Sequence, residues 1–452
     1  MKCIASAARR PACRQPPPRG GFTLLELMVA LTVGGIAISS MYAIGAGSTR
    51  VFRQQNDIAN AQTTLRMAMD QVKRDIARAG YLGTPDASLP GQGCGGVDTT
   101  LHAPSVSGRL AAIARFQNDV TVNGTNDNTA LATTPNATAV NQTAGFTADE
   151  IVMFGNYATG AEYPIQREPG DLTRVIVQQG FYDFRRDFVE WWQPPAPPNP
   201  APFSSGAFHE AFTVGRVVGL RRPDGQYHFD TIQSVEDPTF ASGVLTSPLR
   251  VRLANGIPGS CSDVAYISPL NAIRYSVQNA PAGGDDGARF PEGTGPVAQL
   301  VRTEVLPGDK MTPMNFADTA VPNRRAILDY VVGFHLAFTM TAGTAQGAPD
   351  SYVVGTLPLP TMISAGTLGT TVGSVTNATA NVSGVTGQPE RVRAVSIDLA
   401  VRTPEQDSRF PWDPALCAEM RCFRVFDDRP GAARVRRLHA EVFLPNVAGA
   451  GY

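Results

Sequence analysis

The stretch GFTLLELMVALTVGGIAISSMYAIGAG, Gly21 to Gly47, contains a single charged residue, Glu26. At about 1.5 Å rise per residue, a helix of this length can cross a bilayer. Upstream, residues 1–21 carry Lys2, Arg9, Arg10, Arg14 and Arg19 and no acid, a formal charge of +5. The positive-inside rule leaves such a leader in the cytoplasm and sends the remainder outward. A secretory signal would place its small-residue cleavage site after the apolar run. Here the helical pattern simply continues, and the small pair Gly20-Gly21 stands before the run instead.

Beyond Arg50 the same helix turns amphipathic. Ile58, Leu65, Met69, Val72, Ile76 and Ala79 recur at spacings of seven, four, three, four and three, one apolar stripe along a helix. Arg53, Asp57, Arg66, Asp70, Lys73, Arg74 and Arg78 take much of the remaining surface. Gly80 stands at the expected C-cap, with Pro85 shortly after. The pattern predicts a single helix from Phe22 to Ala79, apolar all round in residues 22–47 and one-sided in residues 48–80.

The chain has 452 residues, ample for a buried core, with a hydrophobic share of 43% and only 17% charged residues. Its 44 Gly and 36 Pro suit strands and long loops better than a helical bundle. The net charge of -1 makes no electrostatic case for nucleic acid. Without residues 1–21, 33 basic residues face 39 acidic ones, a formal charge of -6. Two of the six cysteines, Cys3 and Cys13, lie in the basic leader; Cys94, Cys261, Cys417 and Cys422 follow it. No C-x-x-C spacing points to zinc or thioredoxin-like chemistry. An even number after the leader fits a disulfide-permissive compartment, and four cysteines allow three pairings. We favour a local Cys417–Cys422 loop and a long Cys94–Cys261 bridge, with four unpaired core thiols as the alternative.

Past Pro85 the chain reads as strands separated by long polar insertions. The candidates are Glu150–Phe154, Arg174–Gln178, Phe212–Leu220, Tyr227–Ile232, Leu249–Leu253, Val264–Ile267, Ala272–Val277, Ala298–Val305, Tyr330–Thr339, Val392–Arg402 and Arg437–Leu444. Alternation is clearest in RVRAVSIDLAVR, where Val395, Ile397, Leu399 and Val401 form the core-facing side. Residues 118–148, 193–206 and 342–387 read as loop insertions rich in Asn, Thr, Pro or Gly. The fold class is therefore α+β: a long N-terminal helix packed on a mainly antiparallel β-sheet domain, 81–452, with an inserted subdomain at about 90–295 as a further option.

Catalytic and metal signatures are lacking. The five histidines (His102, His209, His228, His335, His439) show no metal spacing, and His335 reads as a core histidine in an apolar strand. The cluster NGTNDN, 123–128, lacks the bidentate Glu of a calcium loop. We therefore expect no enzyme, no cofactor and no metal.

The N-terminal features together resemble the prepilin signal of type IV pilins and type II secretion pseudopilins: a basic leader, Gly21, the aromatic Phe22, and Glu26 in GFTLLELMVAL. The leader departs from the family in its length and in Pro16-Pro17-Pro18. The resemblance implies that a prepilin peptidase cuts between Gly21 and Phe22 and methylates the new Phe22 amine. It also implies that Glu26 pairs with that amine on a neighbouring subunit. A carboxylate at membrane depth costs about 2.5–3.5 kcal/mol, so it either has such a partner or snorkels to the interface. Further on, MAMDQVKRDIARAGYLG (67–83), LVRTEV (300–305), AILDYVVGFHLAF (326–338), RVRAVSIDLAVRT (391–403) and RRLHAEVFLPNV (436–447) are similar to successive segments of PilW-type minor pilins. Pro445 stands where those proteins commonly have Arg.

That resemblance implies an inner-membrane protein, single-pass with its N-terminus cytoplasmic, that is later built into a pilus reaching the periplasm and cell surface. It would help initiate pilus assembly at or near the filament tip. The implied partners are the peptidase, other minor pilins, the major pilin and, as a further candidate, a tip adhesin. Two other roles stay open: a type II secretion minor pseudopilin, or a surface adhesin or DNA-uptake pilin. No basic-aromatic cluster supports nucleic-acid binding.

Overall fold

The computed structural model describes residues 23–82, 94, 113–117, 149–188, 205–241, 244–279, 297–305, 324–342, 351–353, 392–412, 422–425 and 429–448. Helix α1 runs Leu24–Ala77, close to the predicted span. The chain divides into two compact units, Met1–Asp57 and Ile58–Tyr452. In the first unit, the apolar side chains of α1 face outward: Leu24, Leu25, Leu31, Ile36 and Met41 are each at least 68% exposed.

In the second unit the stripe on α1 is buried. Leu65, Met69, Val72, Ile76 and Ala79 lie in the core, joined by Ala68. Ile58, at the start of the stripe, is only half-buried. Gly80 adopts φ +73°, a conformation that costs glycine little. Its N–H donates to the Phe154 carbonyl at 2.8 Å, so the helix end is stitched to β2 (Asp149–Gly155). Gly155 permits this approach, because a Cβ there would lie 2.9 Å from the Arg78 carbonyl oxygen.

The remaining strands are β1 (Ile113–Gln117), β3 (Tyr163–Arg167), β4 (Arg174–Val177), β5 (Val217–Arg221), β6 (Tyr227–Glu236), β7 (Thr239–Ala241), β8 (Val244–Ser247), β9 (Arg250–Leu253) and β10 (Tyr266–Asn279). They are followed by β11 (Ala298–Val305), β12 (Arg324–Asp329), β13 (Val331–Ala342), β14 (Ser351–Val353), β15 (Val392–Arg402), β16 (Cys422–Phe423) and β17 (Ala433–Phe443). Every pairing among the described strands is antiparallel. The α+β, pilin-like class expected above is the class observed.

Strand β10 organises the domain. Its first part pairs with both β3 and β5, and the path β3-β4-β9-β6-β5 returns to it, closing a six-stranded barrel. Its second part pairs with β2 and β11, extended by β1 and β12. The two sequence candidates Val264–Ile267 and Ala272–Val277 are therefore one strand running through Pro269. Proline is tolerated because β10 leaves β3 at Ile267 and meets β2 only from Asn271, so one side of Pro269 has no ladder to serve.

Short helices α2 (Tyr182–Phe188) and α3 (Ser205–Ala211) bring Phe184, Phe188 and Phe208 to the barrel core around Tyr163. Phe212 belongs to this cluster, stacked on Phe208 at 4.4 Å, and its N–H bonds the Phe208 carbonyl. The expected strand Phe212–Leu220 thus begins only at Val217. This second core draws on residues 161–267, with Cys94 packed against it.

The other sheet has the order β14-β13-β15-β17-β16. Val395, Ile397, Leu399 and Val401 of β15 face the core shared with α1. Here too the strands depart from the sequence reading. The candidate Tyr330–Thr339 is the later of two strands, β12 and β13, and Tyr330 between them adopts φ +58°. That left-handed residue passes the chain from one sheet to the other. Strand β17 starts at Ala433 rather than Arg437. Within the expected insertion 342–387, Ser351–Val353 forms β14 on the edge of β13. Helix α4 (Pro445–Ala448) closes the described chain, and Asn446 Nδ2 donates to the Ala77 carbonyl. The stretches 118–148 and 193–204, the NGTNDN cluster and His102 lie outside the described residues.

Candidate functional site

The N-terminal segment is the region whose chemistry the sequence singled out. Gly21 and Phe22 lie outside the described residues. Glu26 occupies the first turn of α1, where its Oε2 accepts from the Thr23 N–H at 2.9 Å and the Thr23 hydroxyl at 3.1 Å. In return, the Glu26 N–H donates to Thr23 Oγ1 at 3.2 Å. This reciprocal pair is a capping box, T-x-x-E, which satisfies two donors that a helix start leaves orphaned. Sequence reasoning explained Glu26 only by a partner amine, although the Thr23/Glu26 spacing already displayed the cap. The helix behind it presents a long apolar stretch, none of it buried. By length and composition it is able to cross a membrane.

Residues 17–42 match a family model described as the prokaryotic N-terminal methylation motif. No curated protein and no solved structure matches the chain. The chain is type IV prepilin-like at its N-terminus, and this motif supports a pilin-like or pseudopilin-like protein that is processed by a prepilin peptidase and assembles with other pilins. The apolar helix and the motif together fit membrane anchoring before assembly.

Cysteines supply the second group of sequence-selected residues. Cys94 and Cys261 form a disulfide that ties a residue beyond the helix to the barrel across 167 positions. The Cys94 N–H also donates to the Tyr227 carbonyl on β6, so bridge and backbone hold the same point. Cys422 is disulfide-bonded, while Cys417 lies outside the described residues.

The structure brings together residues that the sequence reading passed over. Asp75 falls three residues after Val72 and four before Ala79, hence on the buried face of α1, where it is 5% exposed. Its Oδ2 accepts from Tyr275 Oη and from Arg302 Nε, each at 2.7 Å, and Tyr157 Oη donates to its carbonyl at 3.0 Å. Burial, then the Asp75 charge, push the Tyr275 hydroxyl well above the usual phenol range. The Arg302 guanidinium loses to burial but gains more from Asp75, and is held above its ordinary value. The carboxylate therefore pins the register of the helix on β10 and β11. A charge interrupting the apolar stripe was the signal for it.

On the outward face of the second sheet, register aligns His335 of β13, Asp398 of β15 and His439 of β17. His335 is half-buried rather than in the core, because alternation turns Phe334 and Leu336 inward. Ser396 Oγ lies 3.2 Å from His439 Nε2, and His439 Nδ1 lies 3.5 Å from Asp398. The order matches a nucleophile–base–orienter relay. Asp398, however, is also clamped by Arg437 through two bonds of 2.6 Å, and the β15 amides are engaged in strand pairing rather than free to hold an oxyanion. The arrangement is suited to cross-strand charge pairing.

A cavity of about 1170 Å³ opens beside the end of α1, between the 157–160 loop, the short helices α2 and α3, and strands β10 to β12. On its wall Arg216 and Glu304 form a buried ion pair at 2.7 Å. Arg216 was marked by no sequence motif or spacing, and Glu304 only as a member of the LVRTEV segment.

Proposed function

We propose that this protein is a PilW-type minor pilin of a type IV pilus, a structural rather than catalytic subunit that helps initiate assembly at or near the filament tip. The observation that carries the reading is the methylation motif on a helix whose apolar surface has no covering within its own unit. Apolar area of that extent is stable only in lipid or against other helices. The leader is removed between Gly21 and Phe22, Phe22 is methylated, and its amine pairs with Glu26 of an adjoining subunit. The subunit waits in the inner membrane with its N-terminus cytoplasmic. The same motif serves type II secretion pseudopilins; detection of the chain in sheared surface pili, and normal secretion in its absence, distinguish the two.

The cap on Glu26 dictates how the pairing is tested. Glu26→Val removes charge and cap together, whereas Glu26→Gln keeps a capping side chain and removes only the charge. Stranding the neighbouring amine in low dielectric costs about 3–5 kcal/mol. Glu26→Gln is therefore expected to be cleaved and retained in the membrane yet missing from sheared filaments. Wild-type incorporation of Glu26→Gln removes the pairing mechanism. Mass spectrometry of the mature N-terminus checks the processing step, and any start other than methylated Phe22 overturns it.

A further inference from the structure

We infer that Asn255 is a latent deamidation site, held closed by the buried carboxylate of Asp230. Asn255-Gly256 follows β9, with Asn255 exposed and Gly256 buried. Asn before Gly is the asparagine step most open to ring closure, because glycine has no Cβ to obstruct its own nitrogen. In that reaction the Gly256 nitrogen gives up its proton and bonds to Asn255 Cγ, and the side-chain amide leaves as ammonia. Water then opens the succinimide ring at either carbonyl, giving aspartate or isoaspartate. Water is the one co-reactant, and it reaches Asn255 because the residue is exposed. Burial therefore gives this side chain no protection.

Hydrogen bonding supplies it instead. Asp230 of β6 is fully buried. Its Oδ2 accepts from the Gly256 N–H at 2.8 Å, and its Oδ1 accepts from Asn255 Nδ2 at 3.0 Å. The Asn255 N–H is shared between the two oxygens at 3.3 and 3.1 Å, and Oδ1 also takes the Thr231 N–H at 2.7 Å. Attacking nitrogen and leaving group are thus tied to one anion. A carboxylate is far too weak a base to take an amide proton outright, and its charge opposes an amide anion forming beside it. The same charge-assisted bonds hold the Asn255 side chain against swinging its Cγ over the Gly256 nitrogen. The loop is braced further by the Ile257 N–H on the Leu172 carbonyl at 2.8 Å and by His228 Nε2, 3.1 Å from the Gly256 carbonyl oxygen. Gly256 adopts φ +85°, and a Cβ there would lie 3.0 Å from the Leu172 oxygen. The fold thus demands glycine after Asn255, and the labile step comes with it. Once deamidated, the loop cannot return to this arrangement. Aspartate at 255 sets a second carboxylate where Asp230 now meets a donor, and isoaspartate also lengthens the backbone. This inference does not depend on which filament the chain joins.

The test is peptide mapping by mass spectrometry of the processed full chain, incubated at mildly alkaline pH either folded in detergent micelles or unfolded in urea. In urea Asn255 is expected to deamidate about as fast as Asn123, which also precedes glycine. In the folded chain Asn255 should react at least about tenfold more slowly than in urea. Asp230→Asn, shown by circular dichroism to be folded, is expected to speed Asn255 deamidation about ten- to hundredfold. Asn255→Ala and Asn255→Asp separate a lost donor from an added charge. The second should melt at a lower temperature than the first, because only it sets a like charge against Asp230. Equal rates for Asn255 in folded and unfolded wild type, or no acceleration in folded Asp230→Asn, overturn the proposal. Where Asp230→Asn does not fold, the melting comparison decides, and Asn255→Asp as stable as Asn255→Ala overturns it.

Discussion

Helix α1 carries two halves with opposite relations to their surroundings. In residues 24–47 nearly every apolar side chain is exposed, Leu24 at 77% and Ile36 at 70%. In residues 65–79 the apolar stripe is buried, Val72 and Ile76 completely. Both halves carry Leu, Val, Ile and Met, the first on all sides of the helix and the second along one stripe. What separates them is where the covering surface resides. The second half finds it in strands of the same chain. The first half has none in its own unit and must obtain it from lipid or from other subunits. Their polar insertions differ in the same way. Asp75 is met by Tyr275 and Arg302 of this chain, whereas among the described residues Glu26 is met only by the cap of its own first turn.

The sharpest way to break this comparison is Asp75→Ala. It leaves Arg302 without its carboxylate and Tyr275 without its acceptor, and is expected to destabilise the globular unit by about 3–5 kcal/mol. Chemical unfolding of the processed protein measures this; a loss under about 1 kcal/mol would mean that the carboxylate does not pin the helix. Next in size is a matched pair of truncations. Leu65→Ala should cost about 2–5 kcal/mol through the cavity it leaves. Leu31→Ala should change the unfolding of the globular unit by no more than about 0.5 kcal/mol. Equal effects from the two would erase the distinction between the halves.

The smallest effect contrasts buried Asp75 with the outward-facing Asp398. Burial raises the Asp398 carboxyl, but the bonds and charge of Arg437 and the nearby His439 outweigh it, leaving its affinity for protons below the ordinary value. A depressed folded pKa contributes stability above the unfolded value of about 3.9 and loses it as pH falls through the folded one. Because Arg437 is half exposed, the contribution is expected to stay within about 1 kcal/mol. Asp398→Asn should flatten that part of an acid-unfolding profile, read by circular dichroism below pH 4. An unchanged profile would show the pair to be energetically idle.

Local patterns carried much of the reading. The apolar run, the stripe from Leu65 to Ala79 and the Gly80 terminus are one-dimensional signals, since a helix repeats every 3.6 residues whatever it packs against. The alternation in β15 is of the same kind, because successive side chains on a strand face opposite ways. The N-terminal methylation motif, matched over residues 17–42, was legible for a related reason: a processing signal is read by another protein as linear sequence. Even there a local feature was overlooked, the Thr23/Glu26 cap.

What the tertiary structure decided involves partners distant in the chain. That β10 continues through Pro269 depends on which strands stand beside it at that point. That Tyr330 divides β12 from β13 depends on two sheets needing a crossing. Asn271, Arg78 and Arg325 share a cavity wall although they are far apart in sequence, and no spacing rule relates them. The sequence by itself determined the helix, its two characters and the processing signal, because each rests on neighbours within a few turns. Only folding decided the closed barrel, the anchoring of Asp75 and the cavity, because each requires residues separated by up to about two hundred positions or more to arrive at one place.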